Sequence, residues 1–161
     1  MLDEGGLPLE LPEPARAQLV LAGAAWEDEP RAEAHLRAAV ALAPDALAVQ
    51  LGAYKFYLYR HRLEDALPHA AVIMAMAARR LQLPHDWRDV APHHAAFDQI
   101  EPWPRLFLQA LIGTGYALAR LGRLDEGREA LAKAASLDPL DRFGAGHLTK
   151  VIERGGVDEE D

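Results

Sequence analysis

The residues best suited to chemistry in this sequence are concentrated in one short segment. Three histidines and four acidic residues lie between positions 85 and 101, among them His85, Asp86, His93, His94, Asp98 and Glu101. Imidazole and carboxylate groups are common protein ligands of zinc and other transition metals. The segment therefore holds the residue types of a metal site, and their spacing decides whether they can converge on one ion.

The spacing does not favour convergence. On a helix, the adjacent His93 and His94 point about 100° apart, so they do not aim at the same ion. The pairs that face each other are His94–Asp98 and Asp98–Glu101. A transition-metal site takes three or four convergent ligands. We therefore interpret the segment as a polar surface segment and expect no bound metal or other cofactor, with a site at His85, His94 and Asp98 as the alternative.

Other catalytic chemistry has little support in the sequence. The absence of cysteine excludes disulfides, thiolate metal sites and cysteine nucleophiles. The aliphatic hydroxyls are those of Thr114, Ser136 and Thr149, and none has a base at a recognisable spacing. Glycines flank Thr114, but this run falls within a predicted helix and does not follow a strand, as a phosphate-binding loop would. The sequence therefore predicts a protein that is not an enzyme.

The net charge of −8, from 17 basic and 25 acidic residues, belongs mostly to the two ends of the chain. Eight of the acids lie in the first thirteen or the last four residues, and the remainder is about neutral. Nucleic-acid binding is not expected, because there is no basic stripe to neutralise phosphates. The N-terminus is acidic where a signal peptide would be basic, and no apolar run reaches the about 18 residues of a membrane span. We therefore expect a cytoplasmic protein with no membrane partner.

The elements that carry these residues are predicted to be helices throughout. Alanine and leucine dominate the composition and asparagine is absent, which favours helix over strand. Apolar residues follow a helical spacing along most of the chain. Helix-breaking residues interrupt this spacing at positions 28–30, 44–45, 61–62, 84, 92, 101–104, 122 and 138–139. The sequence thus predicts seven or eight helices.

Two internal matches indicate a repeat. Residues 62–67 match residues 123–128, an offset of 61, and the pattern that starts at Ala32 matches the one that starts at Gly127, an offset of 95. Both offsets are explained by a 34-residue repeat with one insertion of 27 residues. The chain is therefore expected to contain three repeat units, with the insertion between the second and the third.

Each expected unit is a pair of helices with small residues where they cross, and two of the three end in a proline. This pattern resembles the tetratricopeptide repeat (TPR) family, and in particular a small stand-alone bacterial-type TPR protein. The resemblance covers residues 13–46, 47–80 and 108–141. It is clearest in the third unit, where framework positions of the family are occupied by Leu111, Gly115, Leu118, Gly122, Leu124, Leu131, Ala134 and Pro139.

The resemblance implies an all-α, right-handed helical-hairpin solenoid of about three TPR-like units. The insertion is expected at 81–107, where Trp87, Phe97 and Trp103 would anchor it by packing. A helix at 141–154 would cap the last unit, because its apolar residues lie on one face. The whole domain would span 14–154. Its flanks would be a flexible N-terminal segment at 1–13 and an acidic tail at 155–161.

The resemblance also implies a function. TPR arrays bind a peptide or helix of another protein on the concave surface formed by the first helix of each pair. In this sequence, that groove would contain Leu21, Leu51, Lys55, Leu58, Tyr59, Ile112, Tyr116 and Arg120. Such a mainly apolar groove with two cations suits an apolar segment that carries an acid or a C-terminal carboxylate.

We therefore expect a protein–protein interaction module that acts as a scaffold or assembly factor. A secretion-type or client-specific chaperone is the alternative, because small acidic three-repeat proteins also serve that role. A metal-binding protein or metalloenzyme that uses the histidine-rich insertion is a less favoured alternative. The sequence leaves self-association open.

Overall fold

The computed structural model describes residues 6–153. These residues form seven α-helices, two short 3-10 helices and no strand, which confirms the all-α prediction. The α-helices are α1 (Glu13–Ala24), α2 (Glu29–Leu42), α3 (Leu47–Tyr59), α4 (Leu63–Leu81), α5 (Pro102–Arg120), α6 (Leu124–Leu137) and α7 (Ala145–Glu153). The 3-10 helices, Trp87–Asp89 and Pro92–His94, lie in the segment between α4 and α5. Residues 1–5 of the expected N-terminal segment, residue 154 and the expected acidic tail lie outside the described residues.

Local interactions explain where several helices begin and end. Asp28 caps α2, because its carboxylate accepts a hydrogen bond from the backbone N–H of Arg31 at 3.3 Å. Gly122 follows α5 with a φ of 88°, a left-handed conformation that glycine adopts without steric cost. His61 adopts a φ of 56° between α3 and α4. These positions are among the helix interruptions that the sequence predicts.

Two helices begin at other places than the predicted unit boundaries. α5 begins at Pro102 and not at residue 108, because prolines are favoured in the first turn of a helix. α7 begins at Ala145 and not at residue 141. Asp141 itself has a φ of 53°, and its carboxylate accepts a hydrogen bond from the backbone N–H of Gly146 at 2.8 Å. Asp141 therefore belongs to the turn that precedes the helix.

The described chain divides into two compact units. The N-terminal unit comprises residues 7–72, and the C-terminal unit comprises Gly6 and residues 73–153. The boundary falls within α4. Each unit contains a pair of helices adjacent in sequence that pack together, α1 with α2 and α5 with α6.

One buried cluster of small side chains in the N-terminal unit lies where α1, α2 and the start of α3 meet. Ala15, Ala39, Ala43 and Val49 are buried together. Leu11, Leu19, Val40 and Ala46 pack around them. Alanines on facing helices allow the backbones to approach closely. Leu11 belongs to the segment expected to be flexible, and its partly buried side chain attaches that segment to the core.

The C-terminal unit depends on two glycines where α5 crosses α6. A Cβ atom on Gly115 would lie 2.7 Å from Cγ of Leu131. A Cβ atom on Gly127 would lie 2.8 Å from both the backbone nitrogen of Ala119 and the carbonyl oxygen of Gly115. The two helices therefore touch through their backbones, and only glycine fits at these positions.

The segment between α4 and α5 packs on the C-terminal unit. Phe97 is buried, and its ring centroid lies 6.0 Å from that of Phe107 on α5. Val90 is also buried, and its carbonyl oxygen accepts a hydrogen bond from Nζ of Lys133 at 2.8 Å. Trp87 and Trp103 are only half-buried. Phe97 and Val90 are thus the buried anchors of this segment.

We predict that Gly127→Ala destabilises the protein by about 1–3 kcal/mol, because the new methyl group would overlap backbone atoms that cannot move aside. The matched control is Gly52→Ala on α3, where the new Cβ would meet side-chain methyls of Leu19 and Leu36 at 3.5 and 3.7 Å. This control should be neutral or stabilising, by up to about 1 kcal/mol, because alanine favours helix. Urea unfolding measures both, and equal stability of the two variants would contradict the close crossing.

Candidate partner-binding site

Five of the residues predicted to line a groove lie in the N-terminal unit. Leu21 on α1 and Tyr59 at the end of α3 are 46% and 50% exposed. Lys55 and Leu58 are half-buried. Leu51 is only 1% exposed, because α3 is buried on most of its surface. Leu51 is therefore a core residue in this structure, whereas Leu21 and Tyr59 are accessible.

The other three predicted residues lie in the C-terminal unit. Ile112 and Tyr116 are half-buried, and Arg120 is exposed at the end of α5. Each follows the previous one by four residues, so the three side chains form a row along one face of the helix. Within this unit the three predicted residues therefore share one face of α5.

An open hollow of about 660 Å³ lies at the turn between α1 and α2, and we call it the turn hollow. Its lining residues are Leu21, Gly23, Ala24, Ala25, Trp26, Glu27, Asp28, Arg31 and His35. Leu21 belongs to the predicted groove residues listed above. The sequence does contain a signal for this site, which is a tryptophan in a turn next to three consecutive acidic residues.

Contacts with the end of α3 hold Trp26 in position. The guanidinium carbon of Arg60 lies 4.3 Å from the centre of the indole and 4.0 Å from the ring centre of Phe56. Arg60 also donates a hydrogen bond to the carbonyl oxygen of Trp26. The indole meets the Phe56 ring edge to face at 5.6 Å. These contacts are favourable, and they fix an indole that is still 41% exposed.

The carboxylate of Glu33 connects α2 with α3 and with the turn that precedes α4. It accepts hydrogen bonds from the hydroxyl of Tyr57 at 2.8 Å and from both terminal nitrogens of Arg62 at 2.9 and 3.0 Å. Arg37 donates a further bond at 3.0 Å. The hydrogen bonds from Arg62 are the main reason why the pKa of Glu33 is lowered to about 2, against the opposing effect of burial. Glu33 is therefore ionised over the physiological pH range.

Two histidine–glutamine pairs occur in the N-terminal unit, one between α1 and α2 and one between α3 and α4. Nδ1 of His35 on α2 lies 2.8 Å from Oε1 of Gln18 on α1. Nδ1 of His69 on α4 lies 2.8 Å from Oε1 of Gln50 on α3. His35 and His69 are 34 residues apart, which is the repeat length that the sequence matches indicate. The sequence pattern does not reveal these pairs, because helical spacing does not show which polar residues meet between helices.

The hydrogen bonds of Gln50 define which ring nitrogen of His69 carries the proton. Nε2 of the buried Gln50 donates a hydrogen bond to the carbonyl oxygen of Pro44 at 2.9 Å, so its Oε1 faces His69 as an acceptor. Nδ1 of His69 therefore carries the proton, and burial lowers the pKa of the ring. The ring stacks on Tyr57 with centroids 5.7 Å apart. It lines a smaller cavity of about 270 Å³.

The histidine-rich segment does not form a metal-binding cluster within the described residues. Between residues 6 and 153, no three histidine, aspartate or glutamate side chains lie close enough together to hold an ion. Nδ1 of His94 instead accepts a hydrogen bond from the backbone N–H of Ala91 at 2.8 Å. His85 and Asp98 are exposed. The three residues of the alternative metal site are thus not brought together.

The part of the chain that the structure describes also contains no helix with both the length and the apolar character needed to cross a membrane. The described residues define an all-α protein with two compact units and an exposed aromatic hollow in the first of them. No family model matches the chain, and no solved structure matches it.

The chain does have a curated relative, the "uncharacterized 19.8 kDa protein in nifW 5′ region" of Azotobacter chroococcum mcd 1. The two sequences are 40% identical over 126 residues, which cover 77% of this chain and 71% of the relative. The chain therefore belongs to the same family as this protein.

The lowered pKa of Glu33 predicts an acid-dependent loss of stability. The folded-state pKa of about 2 lies below the ordinary value of 4.5, so the stabilisation is complete above about pH 5 and is lost as the pH falls toward 2. Allowing for solvent screening, we expect the wild type to lose about 1–2 kcal/mol more than Glu33→Gln across this range. Urea unfolding at a series of pH values measures the difference. Glu64→Gln, which changes an exposed acid on α4, should retain the wild-type pH dependence, and the same slope for Glu33→Gln would contradict the assignment.

Proposed function

We propose that this protein is a TPR-like interaction module that binds a segment of another protein as a scaffold or assembly factor. The observation that carries the proposal is the turn hollow, where Leu21 and the fixed indole of Trp26 are both more than 40% exposed beside an open volume of about 660 Å³. Exposed apolar side chains around a concavity are typical of protein-binding surfaces.

The pairing of helices supports the TPR-like part of the proposal. α1 packs with α2 and α5 packs with α6, and each pair is closed by a short turn. The crossing of α5 and α6 at Gly115 and Gly127 matches the small residues at framework positions of TPR units. The 34-residue interval between His35 and His69 agrees with the repeat length.

The rigidity of Trp26 supports the binding part of the proposal. Tryptophan and arginine are enriched among residues that dominate binding energy at interfaces. Arg60 and Phe56 hold the indole in one place, so a partner would lose little entropy in ordering it.

The relative supplies one defined candidate for a binding experiment. Its name places it in the 5′ region of nifW. Genes that lie together often act together, so the nifW product of Azotobacter chroococcum mcd 1 is the first purified protein we would test. A chaperone role would be shown instead by a client that stays in solution only when this protein is present.

We predict that Leu21→Asp reduces capture of the partner at least about tenfold, because it places a charge in the apolar part of the hollow. Leu42→Asp is the matched control, because Leu42 is 53% exposed on α2 but does not line the hollow. Quantitative mass spectrometry of crosslinked complexes from the native host measures capture. Melting curves check that both variants are folded, as expected of exposed substitutions. Undiminished capture by Leu21→Asp would contradict a binding role for the turn hollow.

A further inference from the structure

The turn hollow is lined by apolar and by acidic residues, and we call these two parts of its lining the floor and the edge. Leu21, Ala24, Ala25 and Trp26 supply the apolar part. The next two residues along the chain, Glu27 and Asp28, place carboxylates at the same hollow. A partner that fills the floor with an apolar side chain would therefore bring its neighbouring residues against negative charge.

The charges around the hollow are not fully balanced. Arg31 is the guanidinium among the lining residues, and its Nε lies 3.9 Å from the carboxylate of Asp28 in an exposed ion pair. Glu27 is exposed and forms no hydrogen bond or ion pair with any residue in the described range 6–153. Arg60 stacks on the indole and is outside the lining. One carboxylate at the edge therefore remains available to a partner.

We propose that the turn hollow binds a partner segment in which a large apolar residue stands next to a lysine or arginine. The apolar side chain lies between Leu21 and Trp26, and the cation pairs with Glu27 at the edge. This inference rests on the proposed interaction function and adds the chemistry of the bound segment. An acidic segment is disfavoured, because its carboxylate would face Glu27 and Asp28, which outnumber the one guanidinium in the lining.

A display experiment with a random peptide library tests this chemistry and does not require the natural partner to be identified. Peptides are selected on the wild-type protein and counter-selected on Leu21→Asp, so that only binders of the hollow are retained. We expect the retained peptides to be enriched in lysine or arginine beside leucine, phenylalanine or tryptophan. Their affinity should fall as the salt concentration rises, because the edge is exposed to solvent.

A charge exchange then tests the role of Glu27. Glu27→Lys should weaken a retained basic peptide about tenfold, and replacing the peptide's cation by glutamate should restore part of the binding to Glu27→Lys. Glu64→Lys, which reverses an exposed acid on α4 that does not line the hollow, should bind the basic peptide as the wild type does. Melting curves for each variant confirm that the fold is intact.

The outcomes separate this inference from the function on which it rests. Retained peptides that are acidic or neutral, or basic peptides that bind Glu27→Lys unchanged, would overturn the proposed chemistry and leave the hollow as a binding site. A selection in which no peptide prefers the wild type over Leu21→Asp would overturn both proposals.

Discussion

The N-terminal unit depends on the ionised carboxylate of Glu33. Its side chain is only 16% exposed, so the charge is tolerable only because Tyr57, Arg62 and Arg37 donate hydrogen bonds to it. Loss of one donor would leave part of a partly buried charge without a partner, which costs more than the bond itself contributes. The requirement to satisfy this one group therefore fixes α2, the end of α3 and the start of α4 relative to each other.

The need to pair the charge of Glu33 also explains why the indole of Trp26 is both exposed and held in one position. Arg60 and Arg62 flank His61, whose left-handed conformation forms the turn after α3. Arg62 reaches Glu33, while Arg60 reaches the ring and carbonyl oxygen of Trp26. The ion pair between Arg62 and Glu33 orders this turn. It thereby also positions Arg60, which holds Trp26 at the turn hollow. In the C-terminal unit, where α5 and α6 touch at Gly115 and Gly127, steric fit takes the place of a buried charge.

The polar contacts of the N-terminal unit and the close helix crossing of the C-terminal unit differ in what they offer to the proposed TPR-like function. A binding surface needs side chains that are exposed and yet ordered before the partner arrives. The polar contacts of the N-terminal unit meet that need, because they order Trp26 from one side and leave its other side open. The proposed partner chemistry follows from the residues beside the indole, where Glu27 is a carboxylate with no pairing inside the described chain.

The helical class and most helix ends could be predicted from the amino-acid sequence, because they depend on interactions within one or two turns. Proline and aspartate at the start of α2 and Gly122 after α5 act on their immediate neighbours, so their effects are visible in the local pattern. Three aromatic anchors were expected in the insertion, and of these Phe97 is buried while Trp87 and Trp103 are only half-buried.

The pairing of polar residues and the exposure of apolar ones could not be predicted in the same way. Glu33 is separated along the sequence from its partners Tyr57 and Arg62 by 24 and 29 residues. Arg60 is separated from Trp26 by 34 residues. Leu51 and Leu21 look alike in the helical pattern, yet Leu51 is buried and Leu21 is exposed. Helical periodicity specifies the face of a helix on which a side chain lies. Whether another helix covers that face depends on contacts between distant residues, and these arise only when the chain folds.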